Sequence, residues 1–331
     1  PTRIPGISLS APVLPQIQQI QAGTTSGLMK SDGYGGGTAN MEFQSLTGLP
    51  MYNFNDMISI LYTEIVPDMN YMPSISDAFE PKNRIAIHLS DARHYSRSSV
   101  YQKMGYSKFI AISGSEDEAK TVDILGAYPS DSSTYDNILT NIDVNKNQFF
   151  SAMTMQNHGQ WFATDLSDIT ASGEELTSDQ NASLTNYARL LSYTDSSTAE
   201  FLQKLEGIDK KITVVFYGDH LPGLYPQTMF NNNPELQYLT DYFIWSNHGT
   251  AKYDYPLVNS SDFPAELLVH TNSRVSPYYA LLTEVLNKAS VDKDKLDSDG
   301  KQIANDLKMI QYDLTEGKGY ILNHSDFFKF E

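Results

Sequence analysis

Along the chain, short runs of β-branched and aromatic residues alternate with longer stretches in which apolar positions recur every three or four residues. The short runs predict strands over 84–88, 149–155, 212–217 and 241–246, each ending close to polar residues. The longer stretches predict helices over 98–104, 132–142, 184–205 and 277–287. The 184–205 pattern is the best defined, and it closes with Gly207 ahead of the strand at Ile212, a usual stop signal for a helix. Segments rich in Gly, Ser, Asp and Asn over 23–37, 113–118 and 166–181 predict loops. Strands interleaved with helices predict an α/β fold, with a mostly parallel central sheet and helices on both faces. From about Tyr255 the strand signal fades and helical, Lys- and Asp-rich sequence takes over. The expected division is an α/β core over 1–254 and a small C-terminal α+β subdomain over 255–331.

At 331 residues the chain is long enough to bury a substantial core. Its 23 Lys and Arg stand against 40 Asp and Glu, and the net charge of −17 repels nucleic-acid phosphates and anionic membrane surfaces alike. No nucleic-acid partner is expected. An anionic phosphodiester substrate would need a local correction, either a bound cation or a few placed Arg and His. The absence of cysteine removes disulfides, thiolate metal sites and Cys nucleophiles together, so any metal must take O and N ligands. No run approaches the roughly 18 apolar residues that a membrane span needs. The chain is therefore expected to be soluble as it stands, and its opening at Pro1 without Met suggests a fragment of something longer.

Four clusters carry candidate chemistry. The string GYGGGTANMEFQSLTG, from Gly33 to Gly48, is a glycine-rich loop running into a helical pattern with Thr38 at the helix start. Such a loop lets backbone approach a ligand, and a helix N-terminus offers free N–H groups. Thr38 fits both an activated hydroxyl and an ordinary N-cap, and Glu42, one turn on, fits a residue that stabilises the helix start. The string VVFYGDH, from Val214 to His220, ends an apolar strand on Asp219 and His220, where α/β sheets bind ligands; a turn cap beside a surface His would read the same. HLSDARHYSR, from His88 to Arg97, and TMQNHGQW, from Thr154 to Trp161, crowd His, Arg and aromatic residues at two further strand exits. Arg forks and imidazoles are groups that hold phosphate, although a surface loop can contain them too.

Taken in order, GGGTANMEF from Gly35, the His88–Arg97 segment followed by VYQKMGYSKF from Val100, Asn157–His158, and Tyr217 to His220 resemble the lipoteichoic acid synthase family of the alkaline phosphatase and sulfatase superfamily. The likeness runs from about Pro1 to Trp245, and the GGGTAN form looks closer to the branch that attaches glycerol phosphate to cell-surface polysaccharides. The resemblance implies a phosphoglycerol transferase: glycerol phosphate passes from phosphatidylglycerol to a cell-surface polymer or glycan through a glycerophosphoryl-threonine intermediate.

It implies Thr38 as nucleophile and metal ligand, with Asp219 and His220 as further ligands of a divalent ion, Mn2+ foremost and Mg2+ or Zn2+ as alternatives. It implies His88, Tyr95, Arg97 and His158 as the substrate pocket, Tyr95 standing where close synthases carry Trp. The family's first strand brings a Glu that completes the metal site. The sequence starts after that point, so the core is expected to be N-terminally truncated and impaired in metal binding and activity. Such domains follow a membrane anchor, which implies the extracytoplasmic face of a Gram-positive cell membrane, with the anchor in a segment not in this chain. A phosphodiesterase or sulfatase-type hydrolase, or a surface-polymer binding domain without turnover, are the competing expectations; the modified Cys or Ser of sulfatases is replaced here by Thr38.

Overall fold

The computed structural model describes residues 1–331 apart from 2, 163, 164, 166, 250 and 331. The strands are β1 Ile7–Leu9, β2 Thr25–Lys30, β3 Arg84–His88, β4 Lys108–Ala111, β5 Asp117–Glu118, β6 Ile124–Leu125, β7 Tyr128–Pro129, β8 Phe149–Met153, β9 Ala171–Gly173, β10 Thr213–Tyr217, β11 Leu239–Ser246 and β12 Leu257–Asn259. The helices are α1 Pro15–Gly23, α2 Thr38–Thr47, α3 Leu61–Glu64, α4 Arg97–Lys103, α5 Asp131–Leu139, α6 Ser178–Glu206, α7 Phe263–Thr271, α8 Pro277–Lys288 and α9 Ser298–Thr315, with short 3-10 turns between them.

Strands β5, β4, β3 and β8 form a wholly parallel sheet. Strands β10, β11, β2 and β12 form a second sheet, antiparallel except where β12 runs parallel to β2. Alternation along each strand divides the apolar side chains between two faces. Ile85 and Ile87 of β3 and Phe243 of β11 pack with Ile17, Phe201 and Leu202 from α1 and α6. Ala86 of β3, with Tyr242 and Ile244 of β11, packs instead with Phe43 of α2, Val100 of α4 and Phe263 of α7. Helices thus cover both faces, as the α/β pattern requires.

Strand β3 occupies the expected 84–88, while β8 ends at Met153 and β11 starts early, at Leu239. The loop expected over 23–37 is corrected in its first half, because it contains β2. Its sequence, TSGLMK, lacks a strand-like apolar run, and its ladder is supplied by β11 on one side and β12 on the other. Gly27 is required there, since any Cβ would sit 2.5 Å from the Pro256 carbonyl oxygen. The loop expected over 166–181 likewise holds β9 and the capped start of α6, where Thr177 and Gln180 form a reciprocal capping box; Leu166 lies outside the described residues.

Beyond 255, where a separate subdomain is expected, β12 joins the sheet of β2, and Tyr278, Leu282, Ile303 and Leu307 share a core with Met29 and Phe43. The Tyr278 hydroxyl donates to the Thr47 carbonyl at the end of α2, and Gln311 Nε2 donates to the Pro50 carbonyl at 2.9 Å.

Within this core lies Glu266 of α7, fully enclosed, with Oε1 accepting from the Tyr242 hydroxyl at 2.8 Å. Burial, reinforced by the nearby Asp262 carboxylate, outweighs that hydrogen bond and pushes its pKa from 4.5 up to about 8. Between those two values the unfolded chain releases a proton that the folded chain keeps, so Glu266 subtracts stability progressively as pH rises from about 4.5 to about 8. Glu266→Gln is expected to leave stability near pH 4.5 almost unchanged and to raise it at pH 8 by a few kcal/mol, on the order of 1.4 per pK unit removed. Urea unfolding at the two pH values checks this: equal effects at both would refute the linkage.

Candidate active site

The site forms where β2 and β10 leave their sheet and their following loops meet. After β2, the buried hydroxyl of Ser31 donates to the Asp219 backbone carbonyl at 2.6 Å and accepts from the Gly33 N–H at 3.1 Å. Gly35 then adopts φ +68° and donates its N–H to the Leu221 carbonyl at 2.9 Å. A Cβ on Gly35 would lie 2.8 Å from Gly223 Cα, so the two loops touch backbone to backbone only because both positions are glycine. Tyr34 fastens the contact further along: its hydroxyl donates to the Tyr225 carbonyl at 2.9 Å and accepts from the Tyr225 N–H at 3.0 Å.

Gly37, at φ +104°, is the N-cap of α2, which makes Thr38 the first helical residue. The N-cap role weighed for Thr38 is thereby filled by glycine, and the threonine hydroxyl is free for other work. It donates to Asp219 Oδ2 in a short hydrogen bond and lies 3.4 Å from His220 Nε2. His220 Nε2 is in turn 3.3 Å from Asp219 Oδ2. On the far side of the ring, His220 Nδ1–H donates to the Leu221 carbonyl at 2.8 Å, which leaves the Nε2 lone pair facing the two oxygens. An alcohol oxygen, a carboxylate oxygen and an outward-fixed imidazole nitrogen therefore converge, and this O,O,N set with its carbonyl-tethered His fits a hard or borderline divalent ion. Among the described residues no group of three or more His, Asp or Glu side chains gathers at a metal-binding spacing, and the set found here is completed by the Thr38 hydroxyl.

Helix α2 ties this centre to the pocket residues. Glu42 lies one turn beyond Thr38 on the same helical face. It is not a residue of the exposed helix start: its carboxylate is buried and accepts from Arg97 Nε at 3.1 Å and Nη2 at 2.7 Å, and from the Tyr101 hydroxyl at 3.1 Å. Burial works against the Arg97 charge, but Glu42 more than offsets it and holds the guanidinium pKa above its ordinary value. Arg97 Cζ stands 5.1 Å from the centre of the Tyr95 ring. Tyr95 is exposed, and both it and Ser96 take left-handed backbone conformations, φ 56° and 58°, a strained pair that turns the ring outward.

His88, at the end of β3, is buried and donates Nδ1–H to the Met153 carbonyl at 3.1 Å. Burial, assisted by the Arg97 charge, lowers its pKa and keeps the imidazole neutral. His158 is exposed, with Nδ1 2.5 Å from the Gly159 carbonyl and its ring edge-on to Tyr128 at 5.0 Å. The structure thus joins Thr38, Asp219 and His220 by direct contact, and Tyr95 and Arg97 by ring stacking. Among the described residues His158 makes no hydrogen bond, ion pair or ring contact with either group; its partners are Gly159 and Tyr128. The sequence reading missed Glu42 as the shared partner of Arg97 and Tyr101, because 55 and 59 residues separate it from them and only the packing of α2 on α4 brings all three together.

The Sulfatase family model matches residues 2–273. A solved structure of Streptococcus pyogenes phosphoglycerol transferase GacH in complex with sn-glycerol-1-phosphate is 55% identical, with a TM-score of 0.97, covering 100% of this chain and 87% of that one. The lipoteichoic acid synthase LtaP from Listeria monocytogenes shares the fold at 20% identity, with a TM-score of 0.59 over 80% of this chain and 67% of that one. A Rhizobium meliloti (strain 1021) protein proposed to modify cyclic beta-1,2-glucan is 26% identical over 97% of this chain. The chain spans about half, 53%, of that curated relative's length.

Because Thr38 does not cap α2, Thr38→Ala is expected to change unfolding stability by no more than about 0.5–1 kcal/mol, read by thermal denaturation; a larger loss would mean that the hydroxyl is structural. Added Mn2+ is expected to raise the melting temperature of the full-length parent and to raise it much less in full-length Asp219→Asn. Equal shifts in both proteins would locate the ion elsewhere.

Proposed function

Because the chain belongs to the sulfatase family, in its phosphoglycerol transferase branch, we propose that it moves glycerol phosphate from phosphatidylglycerol to a hydroxyl of a cell-surface polymer or glycan, with Thr38 as the nucleophile. The observation that carries this reading is the convergence of Thr38 Oγ1, Asp219 Oδ2 and His220 Nε2. Thr38, Asp219 and His220 would hold a divalent cation, Mn2+ foremost and Mg2+ or Zn2+ as alternatives, which when bound lowers the hydroxyl pKa and offsets charge on the phosphoryl oxygens.

Thr38 Oγ1 bonds to phosphorus as the bond from phosphorus to the lipid oxygen breaks. Asp219 Oδ2, already the acceptor of that hydroxyl, takes its proton and can return it to the departing lipid alcohol. The acceptor hydroxyl then bonds to phosphorus as the Thr38 ester breaks, and its proton restores the threonine hydroxyl. The covalent intermediate divides one displacement into two. His88, Tyr95, Arg97 and His158 are proposed to hold the head group. The likeness to a transferase solved with sn-glycerol-1-phosphate supports a glycerol phosphate donor, and the likeness to a glucan-modifying protein supports a glycan acceptor. Among the described residues no helix is long and apolar enough to cross a membrane. The proposed location is the extracytoplasmic face of a Gram-positive cell membrane, held there by a segment outside this chain.

Incubation of the full-length protein with a labelled phosphatidylglycerol analogue is expected to release labelled lipid alcohol, to leave a glycerophosphoryl group on the peptide containing Thr38, and to pass that group to an added glycan. Thr38→Ala is expected to lose at least 1,000-fold in rate, corresponding to about 4 kcal/mol of barrier. Turnover in Thr38→Ala close to that of the parent would eliminate the covalent step, while release into water alone, with no glycan product, would point to a hydrolase.

A further inference from the structure

The pocket segment from His88 to Arg97 contains four groups able to carry positive charge, and the fold cancels or removes most of it. Arg93 is exposed, and its Nε and Nη2 both reach the Asp91 carboxylate, at 2.9 and 2.5 Å. His88 is buried and neutral, and His94 is exposed, with Nδ1 3.3 Å from the Ser90 hydroxyl. Arg97 lies over the Tyr95 ring, Cζ 5.1 Å from its centre, and it is paired through two of its nitrogens with Glu42, each side chain only 3% exposed. Among the described residues no acceptor meets Arg97 Nη1, so this N–H group remains able to donate although the pair as a whole is uncharged.

We infer that Glu42 sets the charge selectivity of the head-group subsite: by neutralising Arg97 from the buried side, it makes the subsite select an uncharged, hydroxyl-bearing head group over an anionic one. The inference rests on the proposed head-group role of His88, Tyr95 and Arg97. A hydroxyl oxygen can accept from Nη1 and lie against the Tyr95 ring at little desolvation cost. A second phosphate at the same place would give up its water without finding net positive charge, and would face the Glu42 carboxylate behind the guanidinium. Glu42 is a specificity and positioning residue, since it acts through Arg97.

The test is calorimetric binding, to Mn2+-loaded full-length protein at pH 7, of sn-glycerol-1-phosphate and of glycerol 1,3-bisphosphate, in which the distal hydroxyl is replaced by phosphate. The parent is expected to bind glycerol phosphate more tightly. Glu42→Gln, which keeps the shape and removes the charge, is expected to shift the affinity ratio at least tenfold toward the bisphosphate. Adding Arg97→Gln to that variant is expected to return the ratio toward the parent value, and because this neutral amide pair leaves no unpaired buried charge, it keeps the test valid should Glu42→Gln alone fail to fold. A purely structural Glu42 would weaken both ligands together, and an unchanged ratio would overturn the inference while leaving the head-group reading intact. A parent that binds neither ligand would overturn the head-group reading, and the inference with it.

Discussion

Two glycines set the distance on which the chemistry depends. A Cβ on Gly35 would lie 2.8 Å from Gly223 Cα and one on Gly223 would lie 3.2 Å from Gly35 Cα, so a side chain at either position presses the loop after β2 away from the loop after β10. Across the same two loops Thr38 meets Asp219 and His220. Residues around the contact hold it closed: Ser31 binds the Asp219 carbonyl from one side, and Tyr34 makes a two-way bond with the Tyr225 backbone on the other. These are backbone-directed bonds, so they fix the path of both loops and leave the side chains of Thr38, Asp219 and His220 free.

Helix α2 carries that constraint into the rest of the molecule. Its first residue faces the centre, Glu42 anchors Arg97, and Ser45 meets the hydroxyl of the half-buried Tyr217 at 3.0 Å. On another face, Asn40 receives the Leu61 N–H at 3.0 Å and Gln44 receives the Met51 N–H at 2.9 Å, so the chain that wraps around the helix is tied to it by side-chain amides. Nearly every side chain of α2 is enclosed, and the helix behaves as a strut between the two halves of the site. Removing one member of the Glu42–Arg97 pair would leave a charge in the interior without a partner, which is far more costly than never having buried the pair.

The electrostatic design is economical with positive charge. Although the chain carries a net charge of −17, both arginines of the 88–97 segment are matched by carboxylates and the buried His88 is neutral. In the proposed reaction, attraction for the phosphoryl group would be left to the cation that Thr38, Asp219 and His220 would hold and to the α2 N-terminus, while the neighbouring surface would discriminate by shape and hydrogen bonding.

Much of the architecture could be read from the sequence, because period-two and period-3.6 patterns are local properties: β3, α5, α6 and α8 lie where periodicity put them. The strand β2 could not be read this way, since TSGLMK has neither alternation nor a hydrophobic run and becomes a strand only when β11 and β12 supply its ladder. The residue types at the centre, a Thr after glycines and an Asp–His step after a strand, are also local signals, and the family resemblance joined them before any geometry was available. What the sequence by itself determined was therefore the α/β class and the identity of the chemical groups. Tertiary structure alone decided that Thr38 reaches Asp219 across 181 residues, that Glu42 turns inward to neutralise Arg97, and that β12 enters the sheet of β2. The physical reason is that a contact between distant segments depends on the shape of the space between them, down to a missing methyl group at Gly35, and neither periodicity nor composition encodes that space.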